Sequence, residues 1–178
     1  MEELTIEANP GDLDPDKIAV LKDSPVNRVS LGVQTFDNRL LKKIGRSHQE
    51  QDIYDNIDRL KLAGFDNISI DLIYALPTQT MEQVQENVAK ALALDIPHMS
   101  LYSLILENHT VFMNRMRRGK LPLPKEEMEA EMFEYIIQEM ERAGFEHYEI
   151  SNFSKPGFES RHNLMYLSLI HISEPTRP

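Results

Sequence analysis

The sequence predicts an α/β protein in which parallel strands, with helices on their outer side, form part of a (β/α) barrel. Short apolar segments of strand length recur about every 25 to 50 residues along the chain, and amphipathic helical patterns lie between most of them. This alternation is typical of repeated βα units, whose strands pair in parallel. The predicted strands are Leu4–Ala8, Arg28–Gln34, Asn67–Tyr74, His98–Leu104 and His147–Asn152.

Apolar residues at helical spacing predict three helices between these strands. Ser47 and Glu50 have the spacing of a capping box, which predicts the start of the first helix. Gly64 and Gly144 each lie in an Ala-Gly-Phe sequence, where a left-handed cap would end a helix. The residues at helical spacing are Ile53, Ile57 and Leu60; Met81, Val84, Val88 and Ala91; and Met128, Met132, Ile136 and Met140.

Polar and apolar side chains alternate along the first three predicted strands. A parallel strand that is buried on both faces is usually apolar throughout. One polar face therefore favours a barrel whose interior is partly open to a ligand, and a plain sheet with one solvated face is the alternative. The apolar faces carry Leu4 and Ile6; Val29, Leu31 and Val33; and Ile68, Ile70 and Leu72, whereas the polar faces carry Thr5 and Glu7; Ser30, Gly32 and Gln34; and Ser69 and Asp71.

Composition excludes several classes of protein. A hydrophobic content of 41% and a charged content of 27% are those of an average globular protein. The formal net charge of −10 argues against a nucleic-acid partner, and the short basic run Arg115–Lys120 is interpreted as a solvated helix end. No apolar run reaches the length of a membrane helix and the start does not resemble a signal peptide, so we expect a cytoplasmic protein without an integral membrane segment.

Cysteine is absent from the sequence. The chain therefore contains no disulfide, no thiol nucleophile and no cysteine-ligated metal, and we predict no metal ligands in it. The histidines His48, His98 and His109 lie near predicted element boundaries and are interpreted as surface or capping residues.

A polar cleft is predicted from three residues of the alternating strands. Glu7 and Gln34 stand at or near the carboxyl ends of their strands, where parallel α/β folds bind ligands. Asp71 lies within its strand on the polar face, where a buried carboxylate needs a partner such as a backbone N–H group or Arg46. These positions are also compatible with a barrel enzyme that uses Glu7 and Asp71 as an acid–base pair.

Six segments together resemble the radical S-adenosylmethionine proteins of the oxygen-independent coproporphyrinogen oxidase-like group. The resemblance covers about residues 1–166, and its specificity lies in the order and spacing of the motifs. The last two segments are similar to the heme-chaperone branch of that group. The matching segments are Ile6–Pro10 (IEANP), Arg28–Phe36 (RVSLGVQTF), Gly45–His48 (GRSH), Ile70–Pro77 (IDLIYALP), Tyr148–Phe153 (YEISNF) and His162–Tyr166 (HNLMY).

The resemblance implies a barrel of the radical S-adenosylmethionine type with the cofactor across its carboxyl-end opening. Matched position by position, Glu7, Gln34, Arg46 and Asp71 would line the S-adenosylmethionine site, and Ile105 is a looser match to a further contact. Carboxylates suit the ribose hydroxyls and the amino group, and arginine suits the methionyl carboxylate. The resemblance identifies no catalytic side chain in these segments.

The heme-chaperone branch implies heme, or another porphyrin, as cargo that is delivered to heme-acceptor proteins. His162, Asn163 and Tyr166 match its His-Asn-x-x-Tyr-Trp motif, although Leu167 replaces the tryptophan. A histidine or tyrosine side chain is able to ligate heme iron. The alternative is an oxygen-independent coproporphyrinogen III oxidase, which decarboxylates propionates to vinyl groups in porphyrin biosynthesis. The HNLMY segment favours the chaperone.

The chain departs from the family pattern in two ways. The family's [4Fe–4S] cluster is held by a C-x3-C-x2-C segment that precedes these motifs, and no cysteine is present here. We therefore expect a barrel core over residues 1–145 that is truncated at both ends, and the start of the family's C-terminal region over 146–166. Such a fragment would generate no radical, and we predict weak or absent S-adenosylmethionine binding. Residues 167–178 resemble translated sequencing-adapter read-through and are predicted to be a non-native tail.

Overall fold

A computed structural model describes residues 3–104 and 126–160. In these two ranges a six-stranded sheet is packed against five helices. The strands are β1 (Thr5–Ala8), β2 (Arg28–Gln34), β3 (Ile68–Tyr74), β4 (His98–Ser103), β5 (Glu146–His147) and β6 (Asn152–Ser154). The helices are α1 (Pro15–Lys22), α2 (Asn38–Lys43), α3 (Glu50–Leu62), α4 (Met81–Ala93) and α5 (Glu126–Arg142).

The sheet has the order β1-β2-β3-β4-β6-β5. Its first four strands pair in parallel in chain order, which confirms the predicted βα units. Strands β4 and β6, and then β6 and β5, pair antiparallel. The sheet is therefore mixed but mostly parallel, and the barrel is partial, since β1 and β5 lie at the two edges of the sheet in the described ranges.

The fifth predicted strand, over residues 147–152, was wrong. The chain reverses there: the Tyr148 N–H donates to the Asn152 carbonyl at 3.2 Å, and the Asn152 N–H donates to the Glu149 carbonyl at 3.3 Å. The segment consequently forms a hairpin, in which His147 pairs with Phe153. Apolar and aromatic residues on both sides of a tight turn resemble one continuous strand when only their composition is considered.

Helices α3, α4 and α5 are the three that the sequence predicts, but α3 begins later than expected. Its N-cap is Gln49, whose N–H donates to the Asp52 carboxylate at 2.8 Å, and the predicted cap at Ser47 is wrong. Next to Ser47, the buried ring of His48 has Nε2 3.0 Å from the carbonyl oxygen of Val33. His48 therefore contacts the end of β2, and the helix begins two residues later, at Glu50.

Two short helices were not predicted from apolar spacing, although both carry capping signals. Asp14 accepts a hydrogen bond from the Lys17 N–H at 2.8 Å, and Pro15 takes the first helical position of α1. Asp37 caps α2 through the Arg39 N–H, also at 2.8 Å. These helices are eight and six residues long, too short to show a full apolar period.

The glycine caps are confirmed. Gly64 and Gly144 follow α3 and α5 with φ angles of +95° and +89°, which a residue with a side chain adopts only under strain. After Gly64, the Phe65 N–H donates to the Leu60 carbonyl at 3.0 Å and closes the helix end. The chain is thereby turned directly into β3.

The main hydrophobic core lies between the helices and one face of the sheet. The alternating apolar residues of β2 and β3 are at most 2% exposed, and they cluster with the apolar faces of α3, α4 and α5. This leaves the opposite, polar face of the strands to form the barrel interior, as the alternation predicts. Among the helices of the described ranges, none has the length and apolar character that crossing a membrane requires.

Candidate functional site

A cavity of about 340 Å³ lies against the polar face of the parallel strands. Glu7, Gln34 and Asp71, the three residues predicted from strand parity, all line it. The predicted polar cleft is therefore confirmed as a feature of the fold. The full lining is Glu7, Ala8, Asn9, Ser30, Gly32, Gln34 and Asp71.

Strand register explains why these side chains converge. Glu7 pairs with Ser30 across β1 and β2, and Ser30 pairs with Ser69 across β2 and β3. Asp71 is two residues beyond Ser69 and so lies on the same face, closer to the carboxyl end of the sheet. A ligand bound on this face would contact residues of β1, β2 and β3 simultaneously.

Gln34 is turned toward the cavity by an irregular strand end. The register between β2 and β3 shifts between Leu31 and Gln34, and Gln34 has a φ of +69°. A left-handed conformation is uncommon for a residue other than glycine. Gln34 is the central residue of a three-residue turn in which the Thr35 N–H donates to the Val33 carbonyl at 2.9 Å.

Gly32 leaves the space that the cavity occupies. A Cβ atom at this position would lie 3.1 Å from Gln34 Nε2 and 3.2 Å from Asn9 Oδ1. The residue therefore lets the backbone of β2 form part of the cavity wall.

The Asp71 carboxyl has an unusual proton affinity for an aspartate. Burial raises its pKa from 3.8 to about 6, and the nearby negative charge of Glu7 acts in the same direction. The positive charge of Arg28 and a hydrogen bond with Ser100 oppose this increase. Asp71 therefore changes its charge close to neutral pH.

Arg46 does not pair with Asp71, which the sequence left as one possibility. Its Nη1 donates to Asn9 Oδ1 at 3.5 Å instead. Asn9 lines the cavity, so Arg46 contacts a residue of the cavity wall without lining the cavity itself. The cation that acts electrostatically on Asp71 is Arg28, which was not among the predicted cleft residues although it begins β2 on the polar face.

A second polar cluster lies beneath the cavity, toward the amino ends of the strands. His98 Nδ1 is 2.6 Å from the Ser69 hydroxyl and 3.4 Å from Arg28 Nη2, and His98 Nε2 is 2.6 Å from the Tyr148 hydroxyl. Tyr148 also accepts from the Ser160 N–H at 3.2 Å. These contacts join strands β2, β3 and β4 to the C-terminal hairpin.

The interpretation of His98 and His48 as surface or capping residues was wrong. His98 is fully buried and His48 is 5% exposed. Because Arg28 only donates hydrogen bonds, Nδ1 of His98 accepts and the ring proton lies on Nε2, facing Tyr148. Burial, with the positive charge of Arg28 beside it, lowers the pKa of His98 to about 3. His98 is consequently neutral at physiological pH.

Several predicted site residues lie outside the described residues. They are Ile105, His162, Asn163 and Tyr166; His109, interpreted as a surface or capping residue, and the tail over residues 167–178 lie outside as well. Within residues 3–104 and 126–160, no group of three or more histidine, aspartate or glutamate side chains is arranged to hold a metal ion.

The fold and the cavity together define a partial parallel-barrel protein with an acidic cavity on the inner face of its strands. The model of the Radical SAM superfamily matches residues 1–91, which is just over half of the 178 residues. The chain therefore belongs to the radical SAM superfamily, as its motifs indicated.

The relatives of the chain carry a more specific name. The heme chaperone HemW of Lactococcus lactis is 63% identical over 166 residues, which are 93% of this chain and 44% of the relative. The heme chaperone HemW of Bacillus subtilis is 49% identical over 168 residues, 94% of this chain and again 44% of the relative. The chain thus spans less than half the length of these relatives.

The solved structure of coproporphyrinogen III oxidase (HemN) from Escherichia coli, described as a radical SAM enzyme, superimposes with a TM-score of 0.77. Its sequence identity is 25%, and the match covers 88% of this chain and 36% of that chain. The predicted fold class is therefore confirmed.

Proposed function

We propose that the chain is the cofactor-binding part of a heme chaperone that binds heme, binds S-adenosylmethionine in the cavity between Glu7, Gln34 and Asp71, and delivers heme to acceptor proteins. The observation that carries the proposal is this acidic cavity in a chain 63% identical to a protein named heme chaperone HemW. The proposal assigns residues 1–145 to the partial barrel and 146–166 to the start of the C-terminal region. It includes a cytoplasmic location.

The residues of the cavity fit S-adenosylmethionine chemically. Two carboxylates, Glu7 and Asp71, suit a ligand that carries a sulfonium cation, an ammonium group and ribose hydroxyls. The Gly32 backbone gives such a ligand a close approach. Arg46, which donates to Asn9 of the cavity wall, would pair with the ligand's carboxylate. Bound S-adenosylmethionine would supply the radical chemistry of the superfamily.

A [4Fe–4S] cluster does not fit the residues of this chain. The superfamily's clusters are held by cysteine thiolates, and the sequence contains no cysteine. No residue among these 178 is therefore proposed as a cluster ligand. What the chain's own residues do is bind and orient the cofactor, with Asp71 accepting hydrogen bonds in its ionised form.

Replacing Gly32 by valine is expected to weaken S-adenosylmethionine binding by at least about tenfold, or about 1.4 kcal/mol. The added methyl groups would displace the Gln34 and Asn9 side chains, whose polar atoms lie 3.1 and 3.2 Å from the Cβ position, and would fill the cavity. The measurement is a titration followed by amide ¹H–¹⁵N chemical shifts, which detects weak binding. The smaller Gly32→Ala change should have an intermediate effect.

Asp66→Asn is the control for this titration, because Asp66 is an exposed carboxylate just before the amino end of β3, away from the cavity lining. It should leave both the affinity and the shift pattern unchanged. Binding by Gly32→Val at the affinity of the unaltered chain would contradict the cavity as the cofactor site.

The proposed role of the HNLMY segment in heme binding is tested by hemin titration of variants. Hemin added to the chain should produce a Soret band, and His162→Ala should weaken binding about tenfold because a ligand to the iron is lost. His109→Ala, a change at a histidine outside the matched motif, serves as the control. An equal loss in both variants, or no hemin binding at all, would count against this role.

The alternative function is that of an oxygen-independent coproporphyrinogen III oxidase. The solved oxidase structure supports it at 25% identity, whereas the relatives named heme chaperone reach 63% and 49%. Decarboxylation of coproporphyrinogen by the cluster-bearing protein would favour the oxidase. Stable heme binding without decarboxylation would favour the chaperone.

A further inference from the structure

Asn87 is a buried polar side chain on the core-facing side of α4, and it is 7% exposed. The other buried residues of this helix all belong to the main hydrophobic core; they are Val84, Val88 and Ala91. Burial of an amide among apolar side chains is costly unless its polar atoms are hydrogen-bonded. The hydrogen-bond partners of Asn87 therefore indicate what the residue does.

The amide of Asn87 holds the turn that follows β2. Its Oδ1 accepts from the Phe36 N–H at 3.0 Å, and its Nδ2 donates to Thr35 Oγ1 at 3.0 Å. The same hydroxyl lies 3.3 Å from Asn87 Oδ1 and accepts from the Asp37 N–H at 3.2 Å. Thr35 is fully buried and Phe36 is 1% exposed, so these bonds lie inside the protein.

Gln34, directly before the two residues that Asn87 holds, is the strained residue of the cavity wall. It is the central residue of a three-residue turn with a φ of +69°, a form of this turn that is rare and strained. Such a conformation persists only where the surrounding structure fixes it. Strand β2 fixes the chain before Gln34, and Asn87 fixes the chain after it.

We propose that Asn87 is a positioning residue that keeps Gln34 in its left-handed conformation, with its side chain at the cavity. Asn87 does not line this cavity, so it acts through Thr35 and Phe36. A return of Gln34 to a negative φ would redirect its side chain, because φ sets the direction of the Cα–Cβ bond relative to the strand before it. The consequence for the cofactor rests on the proposed function: S-adenosylmethionine would meet a Gln34 that is already in place.

Gln83, one helical turn before Asn87, contacts the next part of the same segment. Its Nε2 donates to Asp37 Oδ2 at 3.3 Å, and its Oε1 accepts from the Thr80 N–H at 2.8 Å in the capping box of α4. Gln83 therefore holds the start of α2, whereas Asn87 holds the residues next to Gln34. The loss of Asn87 is the change that should be detected at Gln34.

The test is the sign of φ at Gln34 in the chain without ligand, measured from its one-bond ¹³Cα–¹Hα coupling. Asn87→Leu keeps a side chain of similar shape but leaves the Phe36 N–H and the Thr35 hydroxyl without that partner. Gln34 should then lose its positive φ, and its side-chain amide resonances should move. Titration with S-adenosylmethionine should show an affinity lower by about fivefold to tenfold, which is the worth of one hydrogen bond from Gln34.

Asn56→Leu is the matched control, because Asn56 is also a buried asparagine and is 1% exposed. Its Nδ2 donates to the Asp52 carbonyl of its own helix, α3, at 2.8 Å. The variant should lose stability while Gln34 keeps its positive φ. Thr35→Val removes the hydroxyl that Asn87 holds, with little change of shape, and should alter φ at Gln34 in the same direction as Asn87→Leu. It provides the measurement if Asn87→Leu does not fold.

A positive φ at Gln34 that survives in the folded Asn87→Leu variant, or in Thr35→Val where Asn87→Leu does not fold, would overturn the proposal. An equal change in Asn56→Leu would show a general loosening of the fold and would also overturn it. A changed φ with an unchanged affinity would support the positioning role and contradict Gln34 as a cofactor contact. Failure of the proposed function is thereby recognised separately.

Discussion

Asp71→Asn is expected to raise the free energy of unfolding at pH 8 by about 1 to 3 kcal/mol. The same change should weaken the binding of any ligand that needs the carboxylate. The upper value follows from a pKa that is raised from 3.8 to about 6, at about 1.4 kcal/mol per pKa unit. The lower value allows for the cost of burying an amide in the same place. An increase in stability on losing a charged side chain is expected where ionisation is disfavoured by the fold.

The pH dependence identifies the cause. A carboxyl whose pKa is higher in the folded than in the unfolded state stabilises the fold below pH 3.8, and this contribution is lost as the pH rises to about 6. The variant and the unaltered chain should therefore have similar stability near pH 4 and differ fully by pH 7 to 8. Urea unfolding at both pH values measures this, with the exposed Asp66→Asn change as the control.

A difference of the same size at both pH values would contradict the assignment, since a change in packing does not titrate. A less stable Asp71→Asn variant at pH 8 would show that the carboxylate contributes favourably to the fold. In that case the hydrogen bonds of Asp71, rather than its burial, would dominate its energetics.

His98→Ala is expected to lower the free energy of unfolding by about 3 kcal/mol or more, which would unfold a marginally stable chain. The fully buried ring contacts Arg28, Ser69 and Tyr148, and its removal leaves these polar groups without that partner. It also opens a cavity between the parallel strands and the hairpin. Chemical unfolding at pH 7, followed by circular dichroism, measures the loss.

Conservative variants separate hydrogen bonding from packing at this position. The side-chain amide of Asn reaches toward the Nδ1 partners Arg28 and Ser69, and that of Gln reaches toward the Nε2 partner Tyr148. Each should recover part of the stability that alanine loses. Alanine, asparagine and glutamine variants of equal stability would show that the ring acts only by filling space.

His98 and Asp71 affect the pH dependence of stability in opposite directions. The pKa of His98 is lowered from 6.5 to about 3 in the fold, so its contribution is present above pH 6.5 and is lost as the pH falls toward 3. That of Asp71 is lost as the pH rises over much of the same interval. The two partly cancel in the unaltered chain, and Asp71→Asn should therefore show a steeper loss of stability on acidification between pH 6 and 4.

Much of the fold could be predicted because each parallel strand shows its environment in its own residues. Alternation along β2 and β3 separated the core-facing side chains from the cavity-facing ones, and the glycine caps located two helix ends. The hairpin could not be predicted in this way. The turn between His147 and Asn152 depends on backbone hydrogen bonds and on pairing with β4, which apolar character does not reveal.

The candidate site was predictable to the same extent. Strand parity identified Glu7, Gln34 and Asp71 because residues at even spacing share a face and the carboxyl ends of parallel strands meet at one edge of the sheet. Parity also places Arg28 on that face, but an arginine at a strand start is more often solvated. Its burial at 3% exposed depends on contacts that no local pattern contains.

By itself, the sequence determined the βα order and the polar inner face, since both are encoded by residues close together in the chain. It also determined the family, through the order and spacing of its motifs. Only the tertiary structure decided which polar groups hold one another. His98 meets Arg28 across 70 residues and Tyr148 across 50, and Ser100 meets Asn152 across 52. These partners are brought together by the pairing of the strands in the sheet. Their protonation follows from burial and from the direction of hydrogen bonds, which exist only once the strands are packed.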